Sequence, residues 1–150
     1  MKASDLFVRC LEAEGVKQIF GVPGEENADF MISLMDSDID FVLCRHEQGA
    51  AFAADAYGRL TGKAGVCLAT LGPGVTNLLT GIADANMDRA PVVAIIGQGS
   101  TKRQHKESHQ IMDAIGMCKP ISKWAQAVLA AENITEIVRK AFKVAETEKP

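Results

Sequence analysis

The amino-acid sequence predicts an α/β domain, a parallel sheet with helices on both faces. Three observations carry that prediction. Short apolar runs, such as Phe41–Cys44 and Val92–Ile96, alternate with longer stretches of helical periodicity. The runs are continuous rather than alternating, as in strands covered on both faces. Glycine or proline follows them, at Pro23-Gly24, Gly72-Pro73-Gly74 and Gly97.

Each element has its own signal. Ser4 reads as the N-cap of a helix carrying Leu6, Phe7, Cys10 and Leu11, which Gly15 ends. Gln18 to Val22 reads as a strand, and Asn27 to Met35 as a helix. Asp40 to Cys44 is the next strand. His46 to Leu60 is alanine-rich and helical, with Gly62 beyond its end. Gly65 to Thr70 is a strand and Val75 to Met87 a helix. Pro91 to Gly97 is a buried strand. Residues 98 to 110 are polar without clear period and read as a loop. Asn133 and Glu136 have capping-box spacing before a last helix, Ile134 to Thr147.

The 150 residues have the size of one domain, with 47% apolar residues and a formal net charge of -3. Nothing basic or aromatic-basic runs along the chain, which argues against nucleic acid. The four cysteines form no CxxC pair, and three scattered histidines do not complete a zinc site. Cys44 and Cys67 lie in apolar runs and read as core. A reduced, cytoplasmic protein is expected. Met1 to Phe7 has no signal-peptide stretch, and Val92 to Ile96 is too short to span a bilayer.

In a parallel sheet, ligands sit beyond the carboxyl ends of the strands. Pro23-Gly24, Arg45 to Glu47, and Gly72 to Gly74 fall there. Position alone gives Glu47 two readings. One is a first-turn glutamate favoured by the helix dipole, worth about 0.3–1 kcal/mol. The other is a carboxyl that exchanges protons with a ligand. Leu71 to Asn77 reads equally as a structural turn or a binding turn, and it lacks the lysine of a P-loop. Gln98, His105, His109 and Gln110 read as loop residues, and Lys102, Arg103 and Lys106 as a solvated cluster. Trp124, the only tryptophan, reads as a packing residue.

Longer motifs decide between these readings. Arg45-His46-Glu47-Gln48-Gly49-Ala50-Ala51-Phe52-Ala53-Ala54-Asp55-Ala56-Tyr57-Gly58-Arg59, then Thr61-Gly62-Lys63, resembles the signature of acetolactate synthase-type enzymes. So do Gly72-Pro73-Gly74-Val75-Thr76-Asn77-Leu78, Ala83-Asp84-Ala85, and Pro91-Val92-Val93 leading to Gly97-Gln98. Gly21-Val22-Pro23-Gly24 fits near the start. Order and spacing hold from about Ala3 to Pro150.

The resemblance implies a thiamine diphosphate enzyme of three domains, of which residues 1–150 form only the first, the pyrimidine-binding domain. The GDG-to-NN motif that carries the diphosphate and Mg²⁺ is absent from this sequence. The resemblance implies that Glu47 bonds the pyrimidine N1′ and controls removal of the C2 proton. It places Pro23 and Gly24 near the thiamine, Thr70, Pro73 and Asn77 against the pyrimidine, and Gln110 toward the reaction centre. Gln98 is structural or supporting. The reaction implied joins pyruvate to a second 2-keto acid with loss of CO₂, in a homodimer or tetramer. Ser108-His109-Gln110-Ile111-Met112-Asp113 is similar to the catabolic branch, which works without FAD, whereas Gly97-Gln98 and Arg45 to Gly49 are similar to the biosynthetic branch. Glu25-Glu26 departs from the small residues common after Gly24. The alternatives are a pyrimidine-domain subunit of a split 2-keto acid decarboxylase, and a non-catalytic interaction module of the same fold.

Overall fold

The computed structural model describes residues 1–106 and 109–148. Four parallel strands are β1 (Gln18–Gly21), β2 (Asp40–Leu43), β3 (Gly65–Ala69) and β4 (Val92–Ile96). Their order in the sheet is β2-β1-β3-β4. Among the described residues six α-helices accompany them: α1 (Ala3–Ala13), α2 (Ala28–Leu34), α3 (Glu47–Thr61), α4 (Pro73–Asp88), α5 (Ala114–Cys118) and α6 (Ile134–Glu146).

The pleat divides the core in two. Ile19, Val66 and Leu68 face α1, α2 and α6, where Leu11, Leu34, Val138 and Phe142 are buried. Cys67 and Ala69 face the other way, against Ala50, Ala51 and Ala54 of α3 and Leu78 and Ile82 of α4. Leu11, Ile19 and Leu68 are fully buried, and each such side chain contributes about 1.5–3 kcal/mol. On the second face small residues let the helices close up. A Cβ built on Gly81 of α4 would lie 2.5 Å from the Ala51 Cβ. An ion cluster ties the far ends of the two helices. Arg59 pairs with Asp55 at 2.7 Å on α3, and with Asp84 at 3.0 Å and Asp88 at 2.7 Å on α4.

Several expectations need correction. Lys2, not Ser4, is the N-cap of α1. The Ser4 hydroxyl instead accepts from Ser33 Oγ at 2.8 Å, joining α1 to α2. Helix α4 starts two residues earlier than expected, because Pro73 at its N-terminus is already set to a helical φ. Asn133 makes no side-chain cap, since its backbone is already helical and closes a 3-10 turn, Ala131–Asn133. β2 is an open edge, with Val42 and Leu43 exposed, so its apolar run does not mean burial on both faces. Cys67 is buried, but Cys44 is only half-buried. Helix α5 went unpredicted. It is short, and Asp113 caps it by accepting from Gly116 N–H at 2.8 Å. Residues 98–106, 109 and 110 form turns and coil. Ser108, within the same predicted loop, lies outside the described residues.

Candidate active site

The carboxyl ends of the strands converge on Thr70, which directly follows β3. A Cβ on Gly24 would sit 2.5 Å from the Thr70 Cβ, and one on Gly74 3.2 Å from its Cγ2. One on Gly97 would sit 3.4 Å from its Cα. Three loops, after β1, β3 and β4, therefore meet at one residue, and they meet because glycine leaves the room.

Glu47 enters from the fourth strand end. It is the first residue of α3, and His46 caps that helix, its Nδ1 accepting the Gln48 N–H at 3.1 Å. Glu47 is buried, with only 9% of its surface exposed. Asn77 Nδ2 donates to its Oε2 at 2.9 Å. Its Oε1 lies on the Gly74 side, 3.6 Å from where a Cβ would stand. A buried carboxyl with one neutral amide partner and a glycine beside its other oxygen is poised toward a ligand rather than bound up in an ion pair.

The remaining predicted residues take graded positions. Gly24, Thr70, Gly74, Glu47 and Asn77 form one continuous chain of contacts. Pro23 and Pro73 are exposed at the rim. Gln110 is also exposed and packs over Gly72, whose missing Cβ would lie 2.6 Å from the Gln110 Cβ. Gly72 holds φ 60, which glycine adopts without strain. Gln98 ties the loop after β4 to the approach to α5, donating to Met112 O at 3.0 Å and accepting from Gly99 N–H at 2.9 Å.

Three features escaped the sequence reading. Asn27 is buried, its Nδ2 and Oδ1 have no hydrogen-bond partner among the described residues, and it stands against Gly97. In the sequence it was only the first residue of an expected helix. The His46 cap was hidden because histidine is not among the usual cap residues. The Arg59 cluster was visible as two i,i+4 pairs, Asp55–Arg59 and Asp84–Asp88, but nothing in the sequence brought them together. The bond to Asp55 pushes the Arg59 pKa up, and Asp88 adds to it.

The description "Thiamine pyrophosphate enzyme, N-terminal TPP binding domain" matches residues 1–117. The chain belongs to that family. This N-terminal TPP binding domain is 47% identical, over all 150 residues, to a probable acetolactate synthase large subunit of Methanocaldococcus jannaschii. It is also 47% identical over 147 residues, 98% of the chain, to the catabolic acetolactate synthase of Raoultella terrigena. With the acetolactate synthase isozyme 2 large subunit of Escherichia coli it shares 43% identity over 150 residues. The chain spans about a quarter of the curated relatives it matches, 25%, 26% and 27% of these three. The four-stranded parallel sheet with helices on both faces is the expected α/β fold of such a domain. Among the described residues no helix is long and apolar enough to cross a membrane.

Proposed function

We propose that this chain is the pyrimidine-binding part of a thiamine diphosphate-dependent acetolactate synthase, with Glu47 as its catalytic residue. The observation that carries the reading is Glu47 itself, buried at a strand end, fixed by Asn77 and open toward Gly74. An aminopyrimidine needs that combination, a carboxyl for a ring nitrogen and a wall that admits a flat ring. Gly24 and Gly74 supply backbone without side chains, and Thr70 stands between them.

When bound, thiamine diphosphate supplies the electron sink for loss of CO₂ and carbon–carbon bond formation. This chain supplies placement and proton control. Glu47 holds a proton at its carboxyl and hydrogen-bonds the pyrimidine N1′. Asn77 orients that carboxyl by occupying Oε2, which directs Oε1 to the ligand side. Pro23 and Pro73 shape the rim, and Gln110 reaches in from the loop over Gly72. Mg²⁺ and the diphosphate are held by a part of the enzyme beyond these residues.

On this reading the substrates are pyruvate and a second 2-keto acid, and the working enzyme is a cytoplasmic homodimer or tetramer. The relatives' names, acetolactate synthase in each case, support the substrates. The test is C2 proton exchange of thiamine diphosphate in the full-length enzyme. Glu47→Gln keeps a hydrogen-bonding group but cannot transfer the proton. Exchange is expected to fall about 10²–10⁴-fold, the usual weight of a positioned acid–base group, while the cofactor still binds. Near-normal exchange in that variant would overturn the assignment.

A further inference from the structure

One buried amide lacks a partner where the strand ends meet. Asn27 is 4% exposed. Neither its Nδ2 nor its Oδ1 has a hydrogen-bond partner among the described residues. A buried donor or acceptor left unbonded is destabilising, and here one side chain carries both. Folded proteins keep few such groups, and each calls for a reason. Capping is not the reason. Asn27 stands at the N-terminus of α2, yet its side chain makes no cap bond there.

The surroundings of the amide point to Thr70. A Cβ on Gly97 would lie 2.6 Å from Asn27 Oδ1 and 3.4 Å from the Thr70 Cα, and the three heavy atoms nearest that point belong to these two residues. Asn27 and Thr70 therefore flank one small space that glycine leaves open. The turn that carries Asn27 also touches Thr70. The Asn27 N–H donates to Gly24 O at 3.1 Å, and a Cβ on Gly24 would stand 2.7 Å from the Thr70 Oγ1. On another side Thr70 meets Glu47. The Thr70 Cγ2 and Glu47 Oε1 flank one point, 3.2 and 3.6 Å from the missing Cβ of Gly74. Thr70 thus stands between a carboxyl open to ligand and an amide with nothing to bond.

We propose that Asn27 is a positioning residue for Thr70, and that its amide bonds the Thr70 hydroxyl only when ligand occupies the site. The inference rests on the reading of Glu47 as the carboxyl that takes an aminopyrimidine. A flat ring bonded to Glu47 Oε1 on the Gly74 side lies against the Thr70 methyl. Threonine has few χ1 rotamers, so contact at the methyl fixes where the hydroxyl points. It also presses Thr70 toward Gly24 and Gly97, the two glycines that Asn27 adjoins. Amide and hydroxyl then satisfy each other. A ligand shifts a protein only by its difference in affinity for two states. The unbonded amide raises the free state, so its relief on binding adds to the affinity for the cofactor.

The test is a double-mutant cycle on the full-length enzyme with Asn27→Leu, Thr70→Val and both together. Two quantities are read for each protein, the melting temperature without cofactor and the calorimetric Kd for thiamine diphosphate with Mg²⁺. Asn27→Leu is expected to melt at or above wild type, because it removes an unbonded buried amide. It is also expected to weaken cofactor binding about five- to 150-fold. Thr70→Val is expected to weaken binding likewise, and the double variant no further than either single one. If Asn27→Leu does not fold, Asn27→Ala removes the amide without added bulk and gives the same Kd comparison. A lower melting temperature with an unchanged Kd would overturn the proposal, since the amide then has its partner in the free enzyme. So would Kd losses that add in the double variant, since Asn27 then acts apart from Thr70. Wild-type enzyme that does not bind thiamine diphosphate at all overturns the reading of Glu47, whereas binding that ignores Asn27 overturns this inference alone.

Discussion

Asn77 Nδ2 donates to Glu47 Oε2 at 2.9 Å, across 30 residues of sequence, and joins the start of α3 to the second turn of α4. The bond fixes which carboxyl oxygen remains for a ligand. A side-chain hydrogen bond contributes about 0.5–1.5 kcal/mol. Asn77→Ala is therefore expected to slow C2 proton exchange in the full-length enzyme about two- to tenfold. Asn77→Asp is expected to be worse, since it sets a second carboxyl 2.9 Å from the first. Equal rates in wild type and both variants would show that Asn77 does not position Glu47.

The meeting of those helices also depends on Gly81, whose Cβ would fall 2.5 Å from the Ala51 Cβ. Gly81→Ala gains about 1 kcal/mol of helix propensity, but overpacking costs about 1–3 kcal/mol. The net expectation is a lower Tm, by about 2–4 °C for each kcal/mol lost. Adding Ala51→Gly removes the opposing methyl and is expected to restore much of the loss. Thermal melts of the single and double variants check this. A Gly81→Ala chain as stable as wild type would mean that α3 and α4 can separate freely.

These two relationships mark what the sequence made legible. The order of strands and helices followed from apolar runs and glycine-proline punctuation, because both are local. Glu47 and Gly24 could be placed together because a parallel sheet brings its strand ends to one side, whereas the place of Asn77 came only from the resemblance. The joining of Asp55–Arg59 to Asp84–Asp88 was not reachable, because it depends on how two helices pack. The burial of Asn27 was not reachable for a related reason, because only the packing of the loop after β1 against Gly97 puts its amide out of solvent. The exposure of β2 was hidden because Phe41–Cys44 has the same apolar pattern as a central strand, and only the strand order shows that it lies at the edge.

His46 gives a direct test of local capping. Its Nδ1 accepts the Gln48 N–H at 3.1 Å just before the catalytic candidate. His46→Ala is expected to cost about 0.5–2 kcal/mol, the range for losing a side-chain cap. His46→Asn is expected to match or exceed wild type, because asparagine caps well in the same position. Chemical denaturation of the three proteins separates the outcomes. Loss of stability in both variants alike would show that the imidazole serves packing rather than capping.

Ser33 and Asp5 set an acid-side expectation. Ser33 Oγ donates to Asp5 Oδ1 at 2.7 Å, and that bond, followed by the Lys2 backbone N–H, lowers the Asp5 pKa. A carboxyl depressed by folding adds stability above its ordinary value of 3.8, and that share is lost as pH falls through its folded value. Ser33→Ala is expected to move the Asp5 titration up toward 3.8 and to start acid unfolding at higher pH. Carboxyl NMR titration of the two proteins reads the shift directly.

The cysteines carry the opposite sign. Burial pushes the Cys67 thiol up to about 12, and burial also raises Cys118. A thiol raised by folding adds stability that is fully present below its ordinary value of 9.0 and is lost as pH rises toward 12. At pH 8 the native chain is expected to alkylate first at Cys10 and Cys44, which are half-buried, while Cys67 and Cys118 stay unmodified. All four are expected to react after unfolding. Peptide mass mapping of timed iodoacetamide labelling distinguishes the sites. Cys67 modification at the rate of Cys44 in the native chain would mean that the sheet face beneath α3 opens far more readily than its packing against Ala50, Ala51 and Ala54 implies.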